Sequence, residues 1–197
     1  MDYSEMRRQK IEEFRSQAGI YDFSREYDRA YIYYVRAGLL GDLESVQEVC
    51  DKLRNGYGMY YNYDETFRCL TIGAEAGLAD AMYEVAVCYS NGLGVKEDRR
   101  QAFAWAQKGA EAGNREAMES LGAYYLKNSH RPEEVAAAIR WFDKASRAGS
   151  GLADLQLGWI YENGIGVTAD PVKARKYYVK AAKAGMEQAQ EHLEKMG

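Results

Sequence analysis

The stretch Leu157-Gly158-Trp159-Ile160-Tyr161-Glu162-Asn163-Gly164-Ile165-Gly166-Val167, with Asp170 and Pro171 close behind it, decides the fold. Leu157 and Tyr161 lie four apart, which puts them on one face of a helix. Asn163 and Gly164 end that helix, because glycine enters the left-handed cap conformation without a Cβ clash. Gly166 supplies a second permissive point, and Val167 returns an apolar side chain inward. Asp170 is the expected N-cap of a second helix, with Pro171 at its first position. That helix carries Ala174, Tyr177, Tyr178, Ala181 and Ala182 before Gly185 stops it.

The same unit recurs along the chain, and its step is constant. Ala81, Ala117, Ala153 and Ala189 are each 36 residues apart, as are Gly41, Gly77, Gly113, Gly149 and Gly185. Val49, Val85, Leu121, Leu157 and Leu193 share that step, and so do Tyr89, Tyr125 and Tyr161. Trp105, Trp141 and Tyr177 form another series, in which Cys69 holds the earlier place. In the second copy Asp98 is the expected cap, with Gln101 as its capping-box mate. Gly122 and Gly158, with Cys50 and Ala86 at the same place, are expected to let two helices approach closely, faced by Ala102, Ala138 and Ala174. The two tryptophans are expected to fill space between neighbouring units, at a cost of about 3–5 kcal/mol if truncated.

These residues closely resemble the Sel-one-like repeat, a relative of the tetratricopeptide repeat with a longer loop between its helices. The resemblance spans residues 42–197. It implies an all-α, right-handed α-solenoid of about five helix–loop–helix repeats with a C-terminal capping helix. One continuous domain is expected, with a degenerate helix pair over 1–41 whose first helix covers 4–17. Four repeats follow at 42–77, 78–113, 114–149 and 150–185, and the capping helix lies within 186–197. Two repeats depart from the pattern. Asn128-Ser129-His130-Arg131-Pro132 replaces the glycine-rich loop of the third, with Glu134 where Asp is usual. Thr66 and Cys69 replace the usual Ala and Trp of the first.

Composition narrows the function. The chain carries a net charge of −4, distributed as 0 over residues 1–40, −5 over 41–113 and +1 over 114–197. No block is basic enough to track phosphates, so nucleic acid is not an expected partner. No apolar run reaches membrane-spanning length, and Met1 to Phe14 lack the pattern of a signal peptide, so a cytoplasmic location without membrane insertion is expected. Cys50, Cys69 and Cys88 form neither an even framework nor a metal-ligand pair, and buried reduced thiols are expected. With only His130 and His192, a nucleophile–histidine–acid set has little raw material. Gly92-Leu93-Gly94 and Gly164-Ile165-Gly166 follow helices rather than strands, which makes them caps rather than nucleotide loops. No catalytic group, metal or cofactor is expected.

The expected function is therefore a non-catalytic adaptor or regulatory protein that binds a peptide or folded partner, itself a monomer or weak dimer. By resemblance to tetratricopeptide geometry, the concave wall takes Leu152, Leu155, Trp159 and Glu162 from the fourth repeat and Glu116, Glu119, Ala123 and Leu126 from the third. It takes Asp80, Tyr83, Val87 and Ser90 from the second, and Glu44, Gln47, Asp51 and Arg54 from the first. An apolar patch of Tyr83, Val87, Leu126, Leu152, Leu155 and Trp159 is expected, with Asp51 and Arg54 at its polar end. Leu155 and Tyr83 equally suit packing on the preceding unit. The loop Tyr57, Met59, Tyr60, Tyr61 and Tyr63 is a second candidate, either as a contact surface or as cover for the first repeat. Alternatives are an inhibitor or immunity protein that neutralises a toxin, a non-catalytic substrate-binding subunit of an enzyme, and a self-assembling structural protein.

Overall fold

A computed structural model describes residues 2–58, 61–127 and 131–196, and these form eleven α-helices and no strand. The chain separates into two compact units, residues 1–112 and 113–197.

The first unit holds α1 (Tyr3–Phe23), α2 (Tyr27–Leu39), α3 (Leu43–Arg54), α4 (Tyr63–Glu75), α5 (Ala79–Asn91) and α6 (Arg99–Glu111). Each helix packs on its sequence neighbour, and α2 on α4 and α3 on α5 as well. That is the nearest-neighbour arrangement of a helical repeat. The first helix is longer than the 4–17 expected and runs on until Arg25 turns left-handed, at φ 59°. The core of this unit joins Tyr31, Val35, Val46, Val49, Cys50, Cys69, Leu70, Val85 and Cys88. Tyr31 is fully buried, and its phenol oxygen lies 3.0 Å from Thr66 Oγ1. This explains why threonine stands where other repeats have alanine: a buried phenol needs a polar partner. All three thiols are buried and free. Desolvation raises the pKa of each, to about 12 for Cys69 and Cys88.

The second unit holds α7 (Arg115–Lys127), α8 (Pro132–Arg147), α9 (Gly151–Asn163), α10 (Pro171–Lys183) and α11 (Glu187–Lys195), each packed on the next. Gly164 closes α9 in the left-handed conformation, and Asp170 caps α10 by accepting from the Lys173 N–H. Ala117, Ala153 and Ala189, one step apart, are all fully buried. α8 begins at Pro132, so Glu134 lies inside the helix rather than capping it. Pro132 sits at a helix start, where its missing N–H costs nothing. Residues 128–130, including His130, lie outside the described residues.

Three expectations are corrected. What faces Gly122 and Gly158 is an aromatic ring: a Cβ there would come within 2.7 Å of the Phe142 ring and 2.6 Å of the Tyr178 ring. Twenty residues separate glycine and ring in both repeats, and the same offset pairs Cys50 with Leu70 and Ala86 with Ala106. Glycine thus stands opposite an aromatic ring in the third and fourth repeats, where a larger residue would collide with it. Next, Gln101 does not complete a capping box. The Asp98 N–H instead donates to the Tyr89 carbonyl at 3.0 Å, and Asp170 does the same to Tyr161 at 2.8 Å. Finally, Trp105 and Trp141 are only half-buried, and Lys108 and Lys144 lie over their rings at 3.9 and 4.0 Å. An indole is too large for the space that Cys69 fills completely, so one face meets solvent and a lysine covers it.

Candidate functional site

An open cleft of about 650 Å³ lies in the second unit, lined by α7, α9 and α11 with Phe142 from α8. α9 lends it Leu152, Leu155 and Trp159, and the sequence of that helix shows why. Ala153, Leu157 and Ile160 are spent on the core, yet Leu152, Leu155 and Trp159 give the helix a second apolar stripe. Leu152 and Trp159 remain exposed, at 42% and 40%. Leu155 is 7% exposed and packs with Ala174, Tyr178, Ala181 and Ala189, so it belongs to the floor together with buried Phe142. It is buried, but in a cluster with helices that follow it rather than on the preceding unit, and it still lines the cleft. α7 adds Glu119, Ala123, Leu126 and Lys127, and α11 adds Gln188, Glu191 and His192.

A polar clasp holds α9, α10 and α11 beside this cleft. Tyr178 donates to Glu162 Oε2 at 2.6 Å, and His192 Nδ1 lies 3.0 Å from the same oxygen. The His192 ring stacks on Tyr178 with centroids 4.6 Å apart. Burial, and then the hydrogen bond to Glu162, pushes the Tyr178 phenol above its ordinary range. Asp154, buried on α9, is also raised by desolvation, although Ser146 donates to it at 2.7 Å. The clasp brings a histidine and a carboxylate together, which sequence spacing alone does not show. No Ser, Thr or Cys stands among the described lining residues. Among the described residues, no group of three His, Cys, Asp or Glu could hold a metal ion, and no helix is long and apolar enough to cross a membrane.

The remaining candidates fall in the first unit. Tyr83 and Val87 are half-buried on α5. Asp51 and Arg54 are joined to one another at 3.0 Å, and Arg54 reaches Asp80 at 2.8 Å, where Gln47 also donates. This network ties α3 to α5. In the tyrosine loop, Tyr57 packs on Tyr27 at 4.6 Å, and Tyr61 meets Tyr31 edge-on while donating to Glu65. Those two rings pack on α2, in the helix pair that precedes the first repeat. Tyr63 is exposed at the start of α4, and Met59 and Tyr60 lie outside the described residues.

Comparison with known proteins places this architecture. The pattern of the family described as Sel1 repeat matches residues 16–42, 53–78, 79–114, 115–150 and 151–186. The match at 16–42 takes in α2 and the end of α1, part of the helix pair that reads as degenerate in sequence. No curated protein sequence matches the chain. A Sel1 repeat protein from Oxalobacter formigenes is similar at 29% identity and TM-score 0.73, covering 86% of this chain and 49% of that one. A protective antigen with an SLR fold from uropathogenic Escherichia coli is similar at 29% identity and TM-score 0.71, covering 85% of this chain and 36% of that one. The chain thus spans half or less of these two relatives. An immunity protein from Pseudomonas aeruginosa shares the fold at 20% identity and TM-score 0.54, over 82% of this chain and 60% of its own. With matches over most of its length, the chain belongs to the Sel1 repeat family.

Proposed function

We propose that the chain is a non-catalytic binding protein that holds a segment of another protein in the cleft of its second unit. One observation carries this reading. Trp159 and Leu152 stay exposed above a floor of Leu155 and Phe142, in a helix whose core-facing side is already satisfied. Exposed aromatic anchors beside a desolvated pocket mark the sites where binding energy concentrates. The three buried thiols suit a reducing compartment, which supports a cytoplasmic location.

Affinity isolation from the native cell, run in parallel with the parent and Trp159→Ala, tests the assignment. A protein held by the parent and lost by the variant supports it. Equal retention by both moves the binding surface elsewhere. A toxin as the retained protein would select the inhibitor role, and an enzyme the substrate-binding subunit.

A further inference from the structure

The second unit is nearly neutral as a block, yet its charges are sorted by helix. α7, α9 and α11 together carry three basic and seven acidic side chains. α8 and α10 carry eight basic and three acidic. Not all of the acidic set faces the cleft: Asp154 is buried against Ser146 and Lys180, and Glu162 is held by Tyr178 and His192. Two of those carboxylates reach the lining itself, Glu119 on α7 and Glu191 on α11, from the helices on either side of α9 in the repeat order. Glu191 is exposed and has no partner among the described residues. Glu119 meets Arg115 only at 3.8 Å. Lys127 is the one lysine or arginine on the described lining, beside His192.

Resting on the proposed binding role, we infer that the cleft takes a cationic amphipathic peptide segment. Its large apolar side chain enters between Leu152 and Trp159, and its lysines or arginines pair with Glu119 and Glu191. The apolar contact supplies the anchor. The carboxylates select charge and orient the segment, which is the part that electrostatic complementarity plays at an interface.

A random peptide library displayed on phage, selected on the purified full chain, tests this with a defined probe. Enriched peptides should combine a leucine or aromatic residue with at least two basic residues. Their binding should weaken about tenfold in the Glu119→Gln/Glu191→Gln double variant and fall with added salt. It should also fail on Trp159→Ala. Unchanged circular dichroism keeps each variant interpretable. Enrichment of neutral or acidic peptides that still need Trp159 would overturn the charge assignment while leaving the cleft as the binding site. Basic peptides that bind Trp159→Ala as well as the parent would overturn the cleft itself, and so would a selection that enriches nothing.

Discussion

Gly158→Ala sets two physical effects against each other. Alanine is the better helix former by about 1 kcal/mol, and position 158 lies in the interior of α9, so local propensity predicts stabilisation. Packing predicts the reverse. The new Cβ would come within 2.6 Å of the Tyr178 ring, well inside the contact distance of about 3.5–4.0 Å. Tyr178 is fully buried and tethered to Glu162 at 2.6 Å, so the ring has little room to retreat. Overpacking of this kind costs about 1–3 kcal/mol. The expected net result is destabilisation by about 1–2 kcal/mol in urea or thermal denaturation. A second substitution, Tyr178→Leu, recreates the small-to-large balance of Cys50 with Leu70. In a double-mutant cycle the two changes should couple favourably by about 1 kcal/mol. A Gly158→Ala protein more stable than the parent would refute the pairing of glycine and ring.

Other outcomes follow from the packing. Trp105→Ala and Trp141→Ala should each cost about 2 kcal/mol, less than the 3–5 kcal/mol of a fully buried ring, because a lysine covers the outer face of each; Lys183→Ala should stay within about 0.5 kcal/mol. Cys50, Cys69 and Cys88 should resist alkylation in the native state, and rapid labelling would contradict their burial. The raised thiol pKa values also predict alkaline lability. An unfolded thiol ionises near 9.0, whereas native Cys69 and Cys88 keep their protons to about 12. Between those values the unfolded state binds fewer protons, so stability is whole below pH 9 and falls above it, by about 1.4 kcal/mol per pH unit per thiol. Denaturation at pH 8 and 10.5 checks this, and Cys88→Ala should reduce the slope; equal stability at both pH values would contradict it.

The repeat was legible because its period is carried by residues whose roles are local. Gly164 and Asp170 end and start helices by their own chemistry, and Ala153 or Leu157 must face inward in every copy. What escaped reading depended on pairs. The match of Gly158 to Tyr178 is visible only when small and large positions are compared across the two helices of a repeat. Leu155 reads equally well as core or contact until α10 and α11 are seen to cover it. His192 lies thirty residues from Glu162, and no periodic signal joins them. The charge sorting of the second unit was present in the sequence, but summing over a block cancels it; only the alternation of first and second helices reveals it. Helix α8 starts early because Pro132 overrides the spacing that pointed to Glu134.

Trp159 is the proposed anchor for a partner in the cleft of the second unit. The most direct measurement is the dissociation constant of the isolated partner for the parent, Trp159→Ala and Tyr63→Ala, with melting curves for each. Loss of the indole should weaken binding by about 2 kcal/mol, or about thirtyfold, because a hot-spot aromatic is removed. Stability should change little, since the ring is 40% exposed, and Tyr63→Ala should bind as the parent does. Unaltered affinity for Trp159→Ala, with binding lost in Tyr63→Ala, would contradict the account and place recognition on the tyrosine-rich loop.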